Sequence, residues 1–177
     1  MPVNYIIRAD VVDIQVDHPR QSDNFLVDTN VWYWLTYPRA DQSDKPPIHY
    51  QTTHYPAYVG KARSAKARLL HCGLSFAELT HIIEKTERDI FNRANESSVG
   101  NKEYRHNYPT ERTNKVVAEV EAAWGLVETI AEPLDLLVDK STTNAALARL
   151  STQPLDGYDL FIMEAMTKAG LSQVDHR

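Results

Sequence analysis

Two observations predict an α/β fold, a three-layer parallel sheet flanked by helices. Short apolar runs recur at residues 25–27, 69–74 and 134–138, bounded by polar or turn-forming residues. The stretches between them carry apolar residues at helical spacing, and strands alternating with helices imply a parallel sheet covered on both faces. The 177 residues suit one domain, which should bury roughly 70% of the unfolded chain's surface without a disulfide or metal staple.

Taken in order, Val12, Ile14 and Val16 alternate with Asp13, Gln15 and Asp17, the period of a half-buried strand or arm. Residues 1–24 therefore read as a β-rich N-terminal extension, closed by the turn formers Gln21-Ser22-Asp23-Asn24. Phe25-Leu26-Val27 is a buried strand ending in Asp28, and a helix begins near Val31. Residues 36–56, with Pro38, Pro46, Pro47 and Pro56, read as loop. Tyr58, Ala62, Ala65 and Leu69 share one helical face, and 69–74 is a second strand carrying Cys72. A helix over 76–91 should turn Phe76, Leu79, Ile83 and Ile90 inward. The polar stretch 92–110, with Gly100 and Pro109, reads as a mobile loop. Val117, Val120, Trp124 and Val127 mark a helix that stops before Pro133. A third strand over 134–138, a short helix over 143–150 and an apolar helix over 158–169, buried on most sides, complete the unit 25–177.

Lys and Arg number 19 against 24 Asp and Glu, a net charge of -5. A protein that coats polyanions should be strongly basic, so any nucleic-acid contact must be local. The single cysteine forms no internal disulfide and points to a reducing, cytoplasmic setting. No apolar run approaches the roughly 18 residues of a membrane span, and no signal-peptide pattern opens the sequence, so no membrane partner is expected.

Three acids stand at element ends: Asp28 after the first strand, Glu78 in the first turn after the second, and Asp159 at the start of the last helix. Ligands of an open parallel sheet bind beyond the carboxyl ends of its strands, and only such a fold gathers positions so far apart in sequence. Clustered carboxylates repel one another unless a cation neutralises them, and hard oxygen donors without His or Cys suit Mg²⁺ or Mn²⁺. Each acid also has a plainer explanation. Asp28 can cap the helix that follows it, Ser75 and Glu78 have the spacing of a capping box, and Asp156 can cap the last helix with Asp159 beside its positive end.

Phe25-Leu26-Val27-Asp28-Thr29-Asn30-Val31, Ser75-Phe76-Ala77-Glu78-Leu79 and Tyr158-Asp159-Leu160-Phe161-Ile162, followed by Ala165 and Gly170, resemble in order and context the PIN-domain nucleases, including bacterial toxin nucleases. The resemblance runs from about residue 25 to the C-terminus. It implies a PIN-like sheet whose acids Asp28, Glu78 and Asp159 bind Mg²⁺ or Mn²⁺ and catalyse hydrolysis of RNA phosphodiester bonds. Thr29 and Asn30 would orient the first acid or a water, although Thr29 also reads as a plain turn residue. The family usually continues into a last strand bearing a fourth acid. Asp175 falls near that position, but Val174-Asp175-His176-Arg177 leaves the strand shortened or absent, as in a truncated or divergent chain, and Asp175 reads first as a solvated tail residue.

Lys61, Arg63, Lys66 and Arg68 are candidate RNA contacts, though their spacing splits them between opposite sides of a helix. Tyr104, Arg105, His106 and Tyr108 are candidates for stacking on unpaired bases. Trp32 and Trp34 read as a groove lining or as core, Cys72 as a small buried hydrophobe, and no histidine has a zinc spacing with it. Two functions remain from this reading: a metal-dependent endoribonuclease, with a protein antitoxin as partner if it is a toxin, and a weakly catalytic or inactive PIN-like domain that binds RNA or a protein. A homodimer is a candidate assembly. A haloacid dehalogenase-type phosphatase wants an Asp where Asn30 stands, and is set aside.

Overall fold

A computed structural model of the chain describes residues 12–44 and 47–171, together with the backbone of 174–175. It is a mixed α/β structure on a small parallel sheet with strand order β3-β2-β1-β4. The strands are β1 (Asn24–Val27), β2 (Arg68–Cys72), β3 (Glu132–Leu134) and β4 (Val174–Asp175). Leu26 stands opposite Leu70 in β2 and Val174 in β4, and Leu70 is opposite Glu132 in β3.

Alternation along β1 divides the core. Phe25 and Val27 join one apolar cluster and Leu26 the other, because successive strand side chains point to opposite faces. The first cluster packs Phe25, Val27 and Leu69 against α1 (Thr29–Thr36), α2 (Tyr55–Ser64), α3 (Gly73–Ala94) and α6 (Ala118–Ile130). On the opposite face, Leu26, Leu70 and Cys72 pack against Ile162 and Met166 of α8 (Gly157–Ala169), which carries α7 (Lys140–Leu150) outside it. Both faces of the sheet are thus covered.

Several sequence expectations need correction. Residues 13–17 form a turn, not a strand: the Asp13 carbonyl accepts from the Val16 and Asp17 amides, and its carboxylate accepts from Gln15 at 2.9 Å. Only Ile14 of the alternating three is buried, so local side-chain bonding by Asp13 outcompetes the strand pattern. Residues 1–11 of the extension lie outside the described residues. The expected mobile loop contains α4 (Asn101–Asn107) and α5 (Pro109–Arg112), and Tyr104 is fully buried against Phe91. Helix α2 ends at Ser64, so Leu69 belongs to β2.

The third strand lies two residues earlier than its apolar pattern suggests. Pro133 sits within β3 opposite His71, a place proline tolerates because β3 is an edge strand, and Leu137 and Val138 are exposed beyond it. Phe76 is 42% exposed and not turned inward, while Leu79 and Ile83 are buried as expected. Helix α8 buries Leu160, Ile162, Ala165 and Met166 but leaves Tyr158 and its last turn exposed.

The last strand is short but present. Helix α8 closes on Gly170, whose φ of 66° is left-handed, and Leu171 N donates to the Met166 carbonyl at 2.9 Å. This glycine cap turns the chain back toward the sheet, where β4 pairs with β1. Asp175 therefore has the strand context that its sequence neighbourhood did not suggest: its backbone stands opposite Val27, next to Asp28. Among the described residues, no helix is long and apolar enough to cross a membrane.

Candidate functional site

The carboxyl ends of β1 and β2 and the N-termini of α1, α3 and α8 meet at one edge of the sheet. Strand β1 ends at Val27, and Asp28 adopts an extended φ of -63° and ψ of 146° as the N-cap of α1. Its Oδ1 accepts the Asn30 amide at 2.7 Å, so the capping explanation for this residue holds. The bond occupies one carboxylate oxygen from one side and does not exhaust the lone pairs of the group.

Glu78 is different. Helix α3 starts at Gly73, with Cys72 as its N-cap and the Cys72 thiol accepting from Leu74 N at 3.3 Å. Ser75 and Glu78 are therefore the third and sixth residues of the helix, and the capping-box account of Glu78 is overturned. Cys72 is buried as expected, and it also starts the helix. Glu78 lies half-buried beside Thr29, the fully buried first residue of α1. Burial is the main cause that raises the Glu78 pKa above its ordinary value. The Thr29 hydroxyl nearby lowers it, without reaching full hydrogen-bond geometry, and the charges of Asp28, Asp159 and Asp156 raise it further.

Asp156 is the N-cap of α8, accepting from Tyr158 N at 2.9 Å and Asp159 N at 3.1 Å. Asp159 then sits in the first turn, half-buried, as the sequence suggested. Asp28, Asn30 and Asp159 line one cleft of about 220 Å³, with Val31, Tyr55 and Ile162 among its walls. The structure thus gathers the three sequence-predicted acids in one electrostatic neighbourhood. Among the described residues, however, no three Asp, Glu, His or Cys side chains converge closely enough to hold a metal ion. The donors match a hard divalent cation in chemical type, and their spacing falls short of a coordination shell.

The basic candidates are placed elsewhere. Arg68 opens β2 opposite Asn24, at the end of the strands remote from the acids, and its guanidinium is paired with Glu132 at 2.7 Å. Lys61 and Arg63 close α2 near that same end, Lys61 donating to the Gln15 carbonyl at 3.3 Å, and Lys66 lies in the turn between α2 and β2. Of the stacking candidates, Tyr104 is core, Tyr108 packs on Phe91 and Arg105 is bound to Glu84, while His106 is exposed on α4. Trp32 is fully buried, which settles its reading as core, whereas Trp34 is partly exposed.

Sequence reasoning missed Tyr55, Leu155 and Met163 as walls of the acid cleft. Tyr55 lies inside the proline-containing stretch read as loop, although its neighbour Pro56, in the first turn of α2, is a helix-start signal. Compared with family models, with curated proteins and with solved structures, the chain matches none.

Proposed function

We propose that the chain is a metal-dependent ribonuclease of PIN type, hydrolysing phosphodiester bonds with Asp28, Glu78 and Asp159 as its acids. One observation carries this reading: Asp28 and Asp159 share a cleft at the carboxyl ends of parallel strands, with Glu78 beside them, its pKa raised by burial and then by their charges. Structural carboxylates are normally paired with cations, so like charges gathered at a strand edge favour a role that involves a positive ligand.

The residues themselves do the holding. Asp28 is held through its Oδ1 by the Asn30 amide. Asp159 is fixed by its place in the first turn of α8, and Glu78 by the turn of α3 that packs against Thr29. A bound Mg²⁺ or Mn²⁺ would polarise a phosphoryl oxygen and make water a stronger nucleophile. RNA as the substrate, and a protein antitoxin as partner if the chain is a toxin, come from the resemblance of the three motifs. The backbone register of Asp175 beside Val27 supports a fourth acid at the same edge.

A second reading, a PIN-like domain that binds RNA or a protein without cleaving it, is favoured by one observation. The described acids do not approach closely enough to form an ion cage. The two separate in a cleavage assay. Purified protein is mixed with RNA and Mn²⁺ alongside Asp28→Asn, and cleavage that is lost in the variant supports the nuclease. Equal cleavage by both proteins, or none by either, rejects it.

A further inference from the structure

Part of the stretch that reads as loop in the sequence winds into one wide turn ahead of α2. A π-turn spans Tyr50–His54, closed by the Tyr55 amide donating to the Tyr50 carbonyl five residues back. His49 and His54 stand at its two ends, both with right-handed helical backbone, φ -53° and ψ -33° for the first and φ -76° and ψ -38° for the second. On an α-helix the residues that face one another are three and four apart, not five. The wider winding brings His54 over His49, and the two imidazole centres lie 5.2 Å apart with their planes at 65°. Such π-windings are rare and recur at functional sites.

The geometry and the surroundings both suit a shared ion. Two imidazoles on one tetrahedral ion, each bonded at about 2.0–2.1 Å, hold their ring centres about 5 Å apart, the separation found here. Thr53 Oγ1 lies 3.5 Å from His49 Nε2, where it can steady that ring through one nitrogen and leave the other to a ligand. Tyr50 packs edge-on against His54 at 5.4 Å and against Tyr55 at 5.2 Å, so the second imidazole is braced from the side. His49 is exposed and His54 half-buried, open to an ion from solvent. Among the described residues, no acid takes either imidazole into an ion pair.

We propose that His49 and His54 form a two-histidine clamp for Zn²⁺. No third Asp, Glu, His or Cys joins them among the described residues, so water completes the shell. Imidazole nitrogen suits a borderline ion such as Zn²⁺, whereas Mg²⁺ and Mn²⁺ prefer oxygen donors, so the clamp and the acid edge take different ions. Neither histidine lines the acid cleft, whose wall residue on this segment is Tyr55.

The test adds Zn²⁺ alone to the full chain and follows the histidine ring protons by NMR. At one equivalent, two of the seven histidines should shift, and the same amount of Mg²⁺ should move neither. His49→Gln and His54→Gln assign the two signals, and neither side chain belongs to an apolar core cluster, so both variants should melt like the wild type. Each should weaken Zn²⁺ binding in calorimetry by about tenfold or more, whereas Asp28→Asn should leave it unchanged. Unmoved histidine signals, shifts at other histidines, equal Zn²⁺ affinity in the wild type and both variants, or a loss confined to Asp28→Asn would overturn the clamp. None of these outcomes depends on whether the chain cleaves RNA.

Discussion

Helix α3 carries acids of two opposite kinds, and their difference separates what holds this fold together from what it offers to a ligand. Glu84 is almost fully buried, yet Arg105 and Arg112 both donate to it and hold its carboxyl below the ordinary range. Glu87, one turn on, is bound by Arg39 and by the Tyr37 hydroxyl, whose own proton is held far above its ordinary range, chiefly by burial. Glu78, two turns nearer the helix start, has carboxylates for neighbours, and burial and those charges push its pKa the other way. Acids that tie α3 to α4, α5 and the segment after α1 come with their cations supplied by the chain. The acid at the strand edge lacks that compensation, and a bound divalent cation would provide it.

The largest expected effect falls on the strand edge. Asp28→Asn should lower Mn²⁺-dependent RNA cleavage by a factor on the order of 100 or more in a single-turnover assay, while the melting curve stays close to wild type. A loss of stability that matches the loss of activity would put Asp28 on the structural side of the comparison, as a cap alone.

Glu84→Ala tests the other side. Removing a buried carboxylate strands two arginines, and because both are partly exposed the cost is discounted to about 2–3 kcal/mol, read from urea unfolding. RNA cleavage by the folded variant should be unchanged. The same contrast appears in pH. The pKa of Glu84 falls on folding, so its contribution is present above its ordinary value of 4.5 and lost as pH drops through the lower folded value.

For Glu78 the sign reverses. Its pKa rises on folding, so its contribution is present below 4.5 and lost as pH climbs through the raised folded value. Glu78→Gln should therefore stabilise the metal-free protein at neutral pH and flatten the fall in stability as pH rises above 4.5, both read from urea unfolding. Destabilisation by this substitution would show that Glu78 is a packing residue like Glu84.

The smallest effect is expected from the basic cluster. Arg63→Ala with Lys66→Ala should change RNA cleavage by less than about twofold, because these residues stand at the opposite end of the sheet from the acids. A larger loss, tracked through its salt dependence, would mean that RNA wraps around the molecule from edge to edge.

How much of this could be read beforehand follows from where each signal resides. Strand β1, the helix after it and the acids at element ends are written in contiguous residues: Phe25-Leu26-Val27-Asp28 ends a buried strand and begins a helix in four letters. Elements whose partners lie far away were misread. Tyr104 is a single buried aromatic in a polar heptad, too little to make a helical period, and the arginines that neutralise Glu84 arrive from 21 and 28 residues downstream. The apolar run 134–138 imitates a strand, but β2 pairs with 132–134 and leaves Leu137 exposed at 73%. Ser75 and Glu78 have capping-box spacing, and only the position of the helix start, set by Cys72, rules it out.

The most direct test of the account is to locate the ion. Crystals grown with Mn²⁺ and measured at the manganese absorption edge should show an anomalous peak within about 2.3 Å of carboxylate oxygens from Asp28, Glu78 and Asp159. A peak elsewhere, or none at saturating Mn²⁺, would contradict the claim that this strand edge is a metal-dependent active site.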